Sequence, residues 1–174
     1  MKKLPTPLYL IAAALVLLIQ GCTIPSLEGR PYFSGVTGES ASSTIVYMYR
    51  PIPDTYFSVY PDIHVNGKLA GQLLPDGYMR LELPPGTNKF KSASSPISSS
   101  MNNNEFALTL EKGSTYFISM QDLYHAPSDG KTLGSVEEAS FRLIKHYHRF
   151  ALVSRQQALK ELPSCREIPT NIFN

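Results

Sequence analysis

The chain has 174 residues with 16 Lys and Arg against 14 Asp and Glu, a net charge of +2. Lys2 and Lys3 account for that excess, so the remainder is balanced at 14 of each sign. No basic run exceeds two residues, which excludes the electrostatic footprint of a nucleic-acid binder and leaves little long-range steering toward any charged partner. Ten Tyr, eight Phe and no Trp favour strands over helices.

Lys2 and Lys3 precede an unbroken apolar run, Leu8 to Ile19. Its twelve residues fall short of the roughly 20 that span a bilayer and match a secretory h-region of about 7–15. Ile19-Gln20-Gly21-Cys22 then stands where a cleavage site belongs. This resembles the lipobox of bacterial lipoproteins, which implies cleavage between Gly21 and Cys22 and a diacylglyceryl thioether on Cys22. One acyl chain holds a protein only marginally, so the two or three that the resemblance implies would anchor it stably. Thr23 stands where an Asp commonly retains Gram-negative lipoproteins in the inner membrane. By that analogy the protein is expected at the outer membrane, facing the periplasm.

The expected organisation is a signal peptide over 1–21, the lipidated Cys22 with a tether to 43, and one domain over 44–174. A domain of this size buries about 68–70% of its unfolded surface and can stand without staples. Thr23 to Ser43 is rich in Gly, Ser and Pro without a hydrophobic period. As a flexible coil it would reach about 25 Å, with Pro31-Tyr32-Phe33 able to dock back on the domain. "TIVYMYR", Thr44 to Arg50, is apolar on both faces, as a central strand should be. In "DIHVNGKLAGQL", Asn66-Gly67 separates two short runs and suits the two positive-φ positions of a type I′ hairpin. "YMRLELPPG" alternates, with Met79, Leu81 and Leu83 inward, and ends where Pro85 and Gly86 fit a type II turn.

"TNKFK" follows as a strand, and Ser92 to Asn104 is a low-complexity stretch expected as a long exposed loop. "EFALTL" and "STYFISM" are strands joined at Lys112-Gly113. A second loop, Gln121 to Thr132, precedes a strand pair at Ala139–Ile144 and Phe150–Val153. "SRQQALKELP" predicts a closing helix: Ser154 as N-cap, Gln157 completing a capping box, Val153 and Ala158 as a hydrophobic staple, Pro163 as the stop. Seven to nine strands without βαβ alternation predict an all-β antiparallel sandwich with a short C-terminal helix.

"TIVYMYRP", "IHVNGKLAGQL", "GYMRLELPPGTNKF" and "LEKGSTYFISM" together resemble the bacterial family known as domain of unknown function 2846, from about Thr44 to Met120 and more loosely beyond. The "VNGK…LPPGTNKF" segment is also similar to PEGA-type modules. These resemblances imply a small exported sandwich in the cell envelope, many relatives being lipoproteins, and carry no catalytic residues.

Residues able to do chemistry are few. "DGKT", Asp129 to Thr132, resembles the end of a phosphate-binding loop, but His125 stands where the first glycine belongs and no helix pattern follows, so it reads as a turn. His146 and His148 are two apart, and on a strand both imidazoles would share a face and could reach one metal ion. His125, Asp122 or Glu138 could complete such a site, though nothing local fixes a third ligand. No serine sits on a Gly-x-Ser-x-Gly elbow. Arg50 is expected to pair with a carboxylate or a loop carbonyl. Cys165 has no partner once Cys22 carries lipid, and reads as a partly buried thiol. The expected function is therefore non-enzymatic: a lipid-anchored binding or accessory module, without cofactor, meeting the membrane through its lipid and an envelope protein or peptidoglycan through its domain, and no nucleic acid. The alternative is a small envelope hydrolase or metal protein using the His146/His148 face.

Overall fold

The computed structural model describes residues 26–38, 44–51, 60–93, 104–141 and 144–171. Gly21, Cys22 and the apolar run lie outside them, as does 94–103 of the low-complexity stretch. Ten strands among the described residues form two sheets: β1 (Thr44–Arg50), β2 (Asp62–Val65), β3 (Lys68–Gln72), β4 (Gly77–Leu83), β5 (Gly86–Ala93), β6 (Glu105–Leu110), β7 (Thr115–Leu123), β8 (Thr132–Phe141), β9 (Ile144–Val153) and β10 (Arg166–Glu167). A helix, α1 (Arg155–Glu161), and a 3-10 turn, Leu162–Ser164, precede β10. The larger sheet runs β10-β4-β1-β7-β9-β8 and the smaller β3-β2-β5-β6. The all-β sandwich is as expected. Its pairing is antiparallel except for β1 beside β7 and β10 beside β4, which run parallel.

β1 is buried at every residue because each of its faces meets a different layer. Val46 and Met48 point between the sheets, where they meet Met79, Leu81, Ile118, Phe90 and Ile63. Ile45, Tyr47 and Tyr49 point the other way, under Phe33, Ala158, Leu162 and Cys165. Burying a large apolar side chain is worth about 1.5–3 kcal/mol, so a strand apolar on both sides belongs at the centre. Phe33 docks as the Pro31-Tyr32-Phe33 signal suggested: its ring meets Tyr47 and Tyr78 edge-on, each at 5.5 Å, and its N–H donates to the Cys165 carbonyl at 3.0 Å.

Chain reversals follow local chemistry. Asn66 and Gly67 both take positive φ (51° and 81°) and close the two-residue β2–β3 hairpin, with Val65 facing Lys68. Asn66 does more than turn the chain. Its side-chain oxygen accepts from the Lys89 N–H at 2.9 Å and its amide donates to Asn88 at 2.8 Å, tying the hairpin to β5. A β-branched residue is strained at positive φ. Gly67→Val is therefore expected to destabilise the domain by about 1 kcal/mol or more, and an unchanged urea midpoint would refute the turn assignment. Pro85-Gly86 turns the chain from β4 in one sheet to β5 in the other, with Gly86 at φ 105°.

Four boundaries differ from expectation, the start of β8 at Thr132 rather than near Ala139 among them. β7 continues to Leu123, so the second loop is shorter, and β9 begins at Ile144 rather than near Phe150. Ser92 and Asn104, expected in an exposed loop, are buried and hydrogen-bonded, Ser92 N–H to the Asn104 carbonyl at 2.8 Å. In α1, the Ser154 hydroxyl accepts from the Gln157 N–H at 3.2 Å, but the Gln157 amide turns to Glu161 at 3.0 Å instead of closing a capping box.

Candidate functional site

His146 and His148 do share one face of β9, as the period of two requires. That face is the inner one, turned between the sheets, and both residues are buried. Three strands converge there. Alternation along β1 sends Arg50 the same way as Val46 and Met48, and alternation along β7 sends Asp122 the same way as Ile118 and Met120. Register then sets Asp122 directly opposite His148.

The result is a buried trio. Asp122 Oδ2 accepts from Arg50 Nη2 at 2.9 Å and Nε at 3.2 Å, a forked charge-assisted pair. Asp122 Oδ1 lies in close hydrogen bond with His148 Nδ1. The side chains of Arg50 and Asp122 are 1% exposed and that of His148 is 3%. Burial by itself would push the Asp122 carboxyl up. The His148 hydrogen bond and the Arg50 charge outweigh it and hold the carboxyl below its ordinary value. Arg50 thus takes the carboxylate that its sequence position promised.

A carboxylate orienting an imidazole is the supporting half of a hydrolytic constellation. The crevice beside His148, bounded by Asn104, Met120, Glu137, Arg149 and Phe150, holds no water-sized space. Cys165 packs with the cluster on the opposite face of the larger sheet, away from both histidines. Among the described residues, no three His, Cys, Asp or Glu side chains are grouped so as to hold a metal ion. Of the possible third ligands, Asp122 is committed to Arg50 and His148, Glu138 pairs with Lys145 at the surface, and His125 is exposed.

Next to the trio the sheets are fastened by Asn104. Its backbone joins Ser92 on the small sheet, while its amide donates to the Ser135 carbonyl at 2.7 Å and accepts from the Ser135 N–H at 3.2 Å on β8. β8 offers that peptide because its register slips between Leu133 and Glu137, with Gly134 at φ 70°. On the outer side, Arg149 forks onto Asp129 and also meets Gln121 and Thr132, pinning the loop after β7. Asp129 in turn accepts from the Lys131 N–H, so "DGKT" is a bend, as read. The Arg149 hydrogen bond chiefly, with that of Lys131, holds the Asp129 carboxyl far below the usual range.

Cys165 is fully buried, more than its sequence position suggested. Burial, opposed by a Ser164 hydrogen bond and reinforced by the charges of Asp76 and Glu161, pushes its thiol up to about 12. Such a thiol is a poor nucleophile. Tyr49 beside it donates to Glu161 at 2.6 Å, and burial first, then that bond, drives its phenol far above normal. This bond locks α1 onto the sheet. Sequence reasoning placed Asn104 in an exposed loop and named Asp122 only as a possible metal ligand, not as the partner of Arg50.

Neither a curated protein nor a solved structure matches this chain. A family described as "Protein of unknown function (DUF2846)" matches residues 40–135, more than half of the chain. That stretch carries β1 to β7 and the Gly134–Ser135 bulge, and with them Arg50, Asp122 and Asn104, but not His148. The chain belongs to this family.

Proposed function

We propose that this protein is a lipid-anchored, non-enzymatic binding or accessory module of the bacterial envelope, held through Cys22 at the periplasmic face of the outer membrane. The observation that carries the reading is the sequence Ile19-Gln20-Gly21-Cys22 directly after Lys2, Lys3 and a twelve-residue apolar run. The described domain supports it from the other side. Arg50, Asp122, His148, Cys165, Tyr49 and Arg149 are engaged in internal contacts that explain them by fold. What remains for function is location and surface, and the partner is an envelope protein or peptidoglycan.

Metabolic labelling with an acyl-chain analogue tests the anchor. Wild type is expected to take up label and sediment with outer membranes, whereas Cys22→Ser takes up none and moves to the soluble fraction. Label retained in Cys22→Ser, with Cys165 as the remaining thiol, would overturn the assignment.

A further inference from the structure

Strand register brings several chain ends together at one end of the sandwich. Arg50, the last residue of β1, faces Gly77, the first of β4, and Arg166 of β10 pairs with the same glycine. β7 runs parallel to β1 and ends there at Leu123, opposite Tyr147 of β9. Tyr124 and Ile144 therefore lie at that end too. The amino-terminal segment enters at the same place, where Ser26 and Leu27 line a crevice with Tyr60, Leu74 and Pro75. From there it runs toward the opposite end, past the Tyr32–Arg166 bridge to Thr37, whose N–H donates to the Tyr47 hydroxyl at 2.9 Å.

Among the described residues, the three most exposed large apolar side chains are Ile144 at 54%, Tyr32 at 53% and Tyr124 at 46%. All three sit at this end. Single exposed apolar residues are ordinary, and only their gathering is informative. Tyr32, beside β10, and Ile144, on β9, stand near opposite edges of the larger sheet, roughly 20–25 Å apart along it. So widely spread, they form a rim, which a flat surface meets and a compact ligand does not. Tyrosine also has the chemistry for a lipid interface, since its apolar ring and polar tip suit the boundary between hydrocarbon and water. The cations next to these side chains are already engaged. Arg166 donates to the carbonyls of Leu27 and Arg30 and to the Tyr32 hydroxyl, and Lys145 pairs with Glu138 at 2.7 Å.

We propose that this end of the sandwich rests in the headgroup layer of the bilayer that holds the lipid of Cys22, with Tyr32, Tyr124 and Ile144 at the interface. The inference rests on the anchor proposed above, and the length of chain identifies the occupant. By composition, residues 23–43 read as a coil reaching about 25 Å. The structure instead holds much of that stretch against the domain, with Leu27 and Arg30 on Arg166, the Pro31 carbonyl on the Glu167 N–H at 2.9 Å, and the Phe33 ring on Tyr47 and Tyr78. Ser26 is four residues from Cys22, a span of at most about 14 Å. The interfacial layer is itself about 5–8 Å deep, so little free chain remains beyond it. The domain is held by its rim, with its strands along the membrane normal.

The chain has no Trp, so a single introduced Trp reports its own surroundings. The full-length acylated protein carrying Tyr124→Trp, Ile144→Trp or Lys112→Trp is reconstituted into phosphatidylcholine vesicles, with and without lipid brominated beside the headgroup. Lys112 is exposed in the turn before β7, at the opposite end of the sandwich. Emission from the Tyr124 and Ile144 variants is expected to shift to shorter wavelength and to lose most of its intensity to bromine, in low and high salt alike. Lys112→Trp should show neither effect. Two reporters at the rim guard against one substitution disturbing the fold. Equal quenching at Lys112, or none at either rim position, would overturn the docking. A shift without quenching would assign the rim to a protein partner or a second copy, and quenching abolished by salt would assign it to charge; either result overturns the inference. Acyl labelling and flotation with the vesicles report the anchor separately. Label without rim quenching overturns the docking alone, whereas absence of label removes the anchor and the docking with it.

Discussion

Asp122→Ala should cost about 3–5 kcal/mol of stability, the range for breaking a buried ion pair from one side. The loss comes less from the missing bond than from what is left behind. Arg50, 1% exposed, would keep its charge without the carboxylate that it forks onto, and His148 would lose its acceptor. Against a typical total of 5–15 kcal/mol, the variant should unfold at a much lower urea concentration. Replacing both ends, Arg50→Met with Asp122→Leu, should restore most of the loss, because a buried pair exchanged for apolar volume is often neutral. The pH dependence has a definite sign. The folded Asp122 carboxyl lies below its ordinary 3.8, so its contribution is complete above about pH 4 and disappears as pH falls through the depressed value. Asp122→Ala should flatten that acid limb. A loss under 1 kcal/mol, with the acid limb intact, would refute the trio as a stabilising unit.

Gly134→Ala should destabilise by about 2–4 kcal/mol through a different route. Its φ of 70° disfavours any side chain, at a cost of about 1 kcal/mol or more. A Cβ there would also overlap Asn104 Oδ1 and lie 3.0 Å from the Glu105 carbonyl oxygen. Asn104 would have to move, surrendering both bonds to Ser135 and leaving buried groups unsatisfied, about 1–3 kcal/mol more. If that is the mechanism, Asn104→Ala should add little in the Gly134→Ala background, since the two changes remove the same clasp. Full additivity of the two losses would show that the bulge and the clasp are independent.

Local chemistry was legible in the sequence wherever one or two residues decide the outcome. Asn66-Gly67, Lys112-Gly113, the Ser154 cap and the two-faced apolar strand at Thr44–Arg50 all sit where they were read. The misread region is "IKHYHRF". A strand was expected there only from Phe150, which left both histidines between strands, although alternation places them on the face of Ile144 and Phe150. The structure turns both inward, and Arg50 and Asp122, distant in sequence, supply the buried polar environment of His148. No periodicity argument sees a charge neutralised by a partner 72 residues away. The parallel pairing of β1 with β7 was likewise invisible, since strand order belongs to the tertiary arrangement and not to any one segment. Asn66 was legible as a turn former, but its side-chain bonds to β5 needed the neighbouring strand to be in place.

The docking of Phe33 also has a mechanical side. The stretch ahead of β1 is held by the Phe33 ring on Tyr47 and Tyr78, by backbone bonds of Phe33 and Pro31 to Cys165 and Glu167, by the Arg166 guanidinium on the carbonyls of Leu27 and Arg30, and by Tyr47 and Arg80 at Thr37. Tension entering at Ser26 meets these contacts in series before it reaches Thr44. Ring and guanidinium contacts yield one at a time, whereas β1 is stitched on both sides to β4 and β7 along most of its length. A tug from the amino end would thus load residues 26–38 and the β10 edge of the larger sheet before it reaches β1. Under load the docked segment would yield before β1 does, with a recoil set by how readily Phe33 finds its slot again.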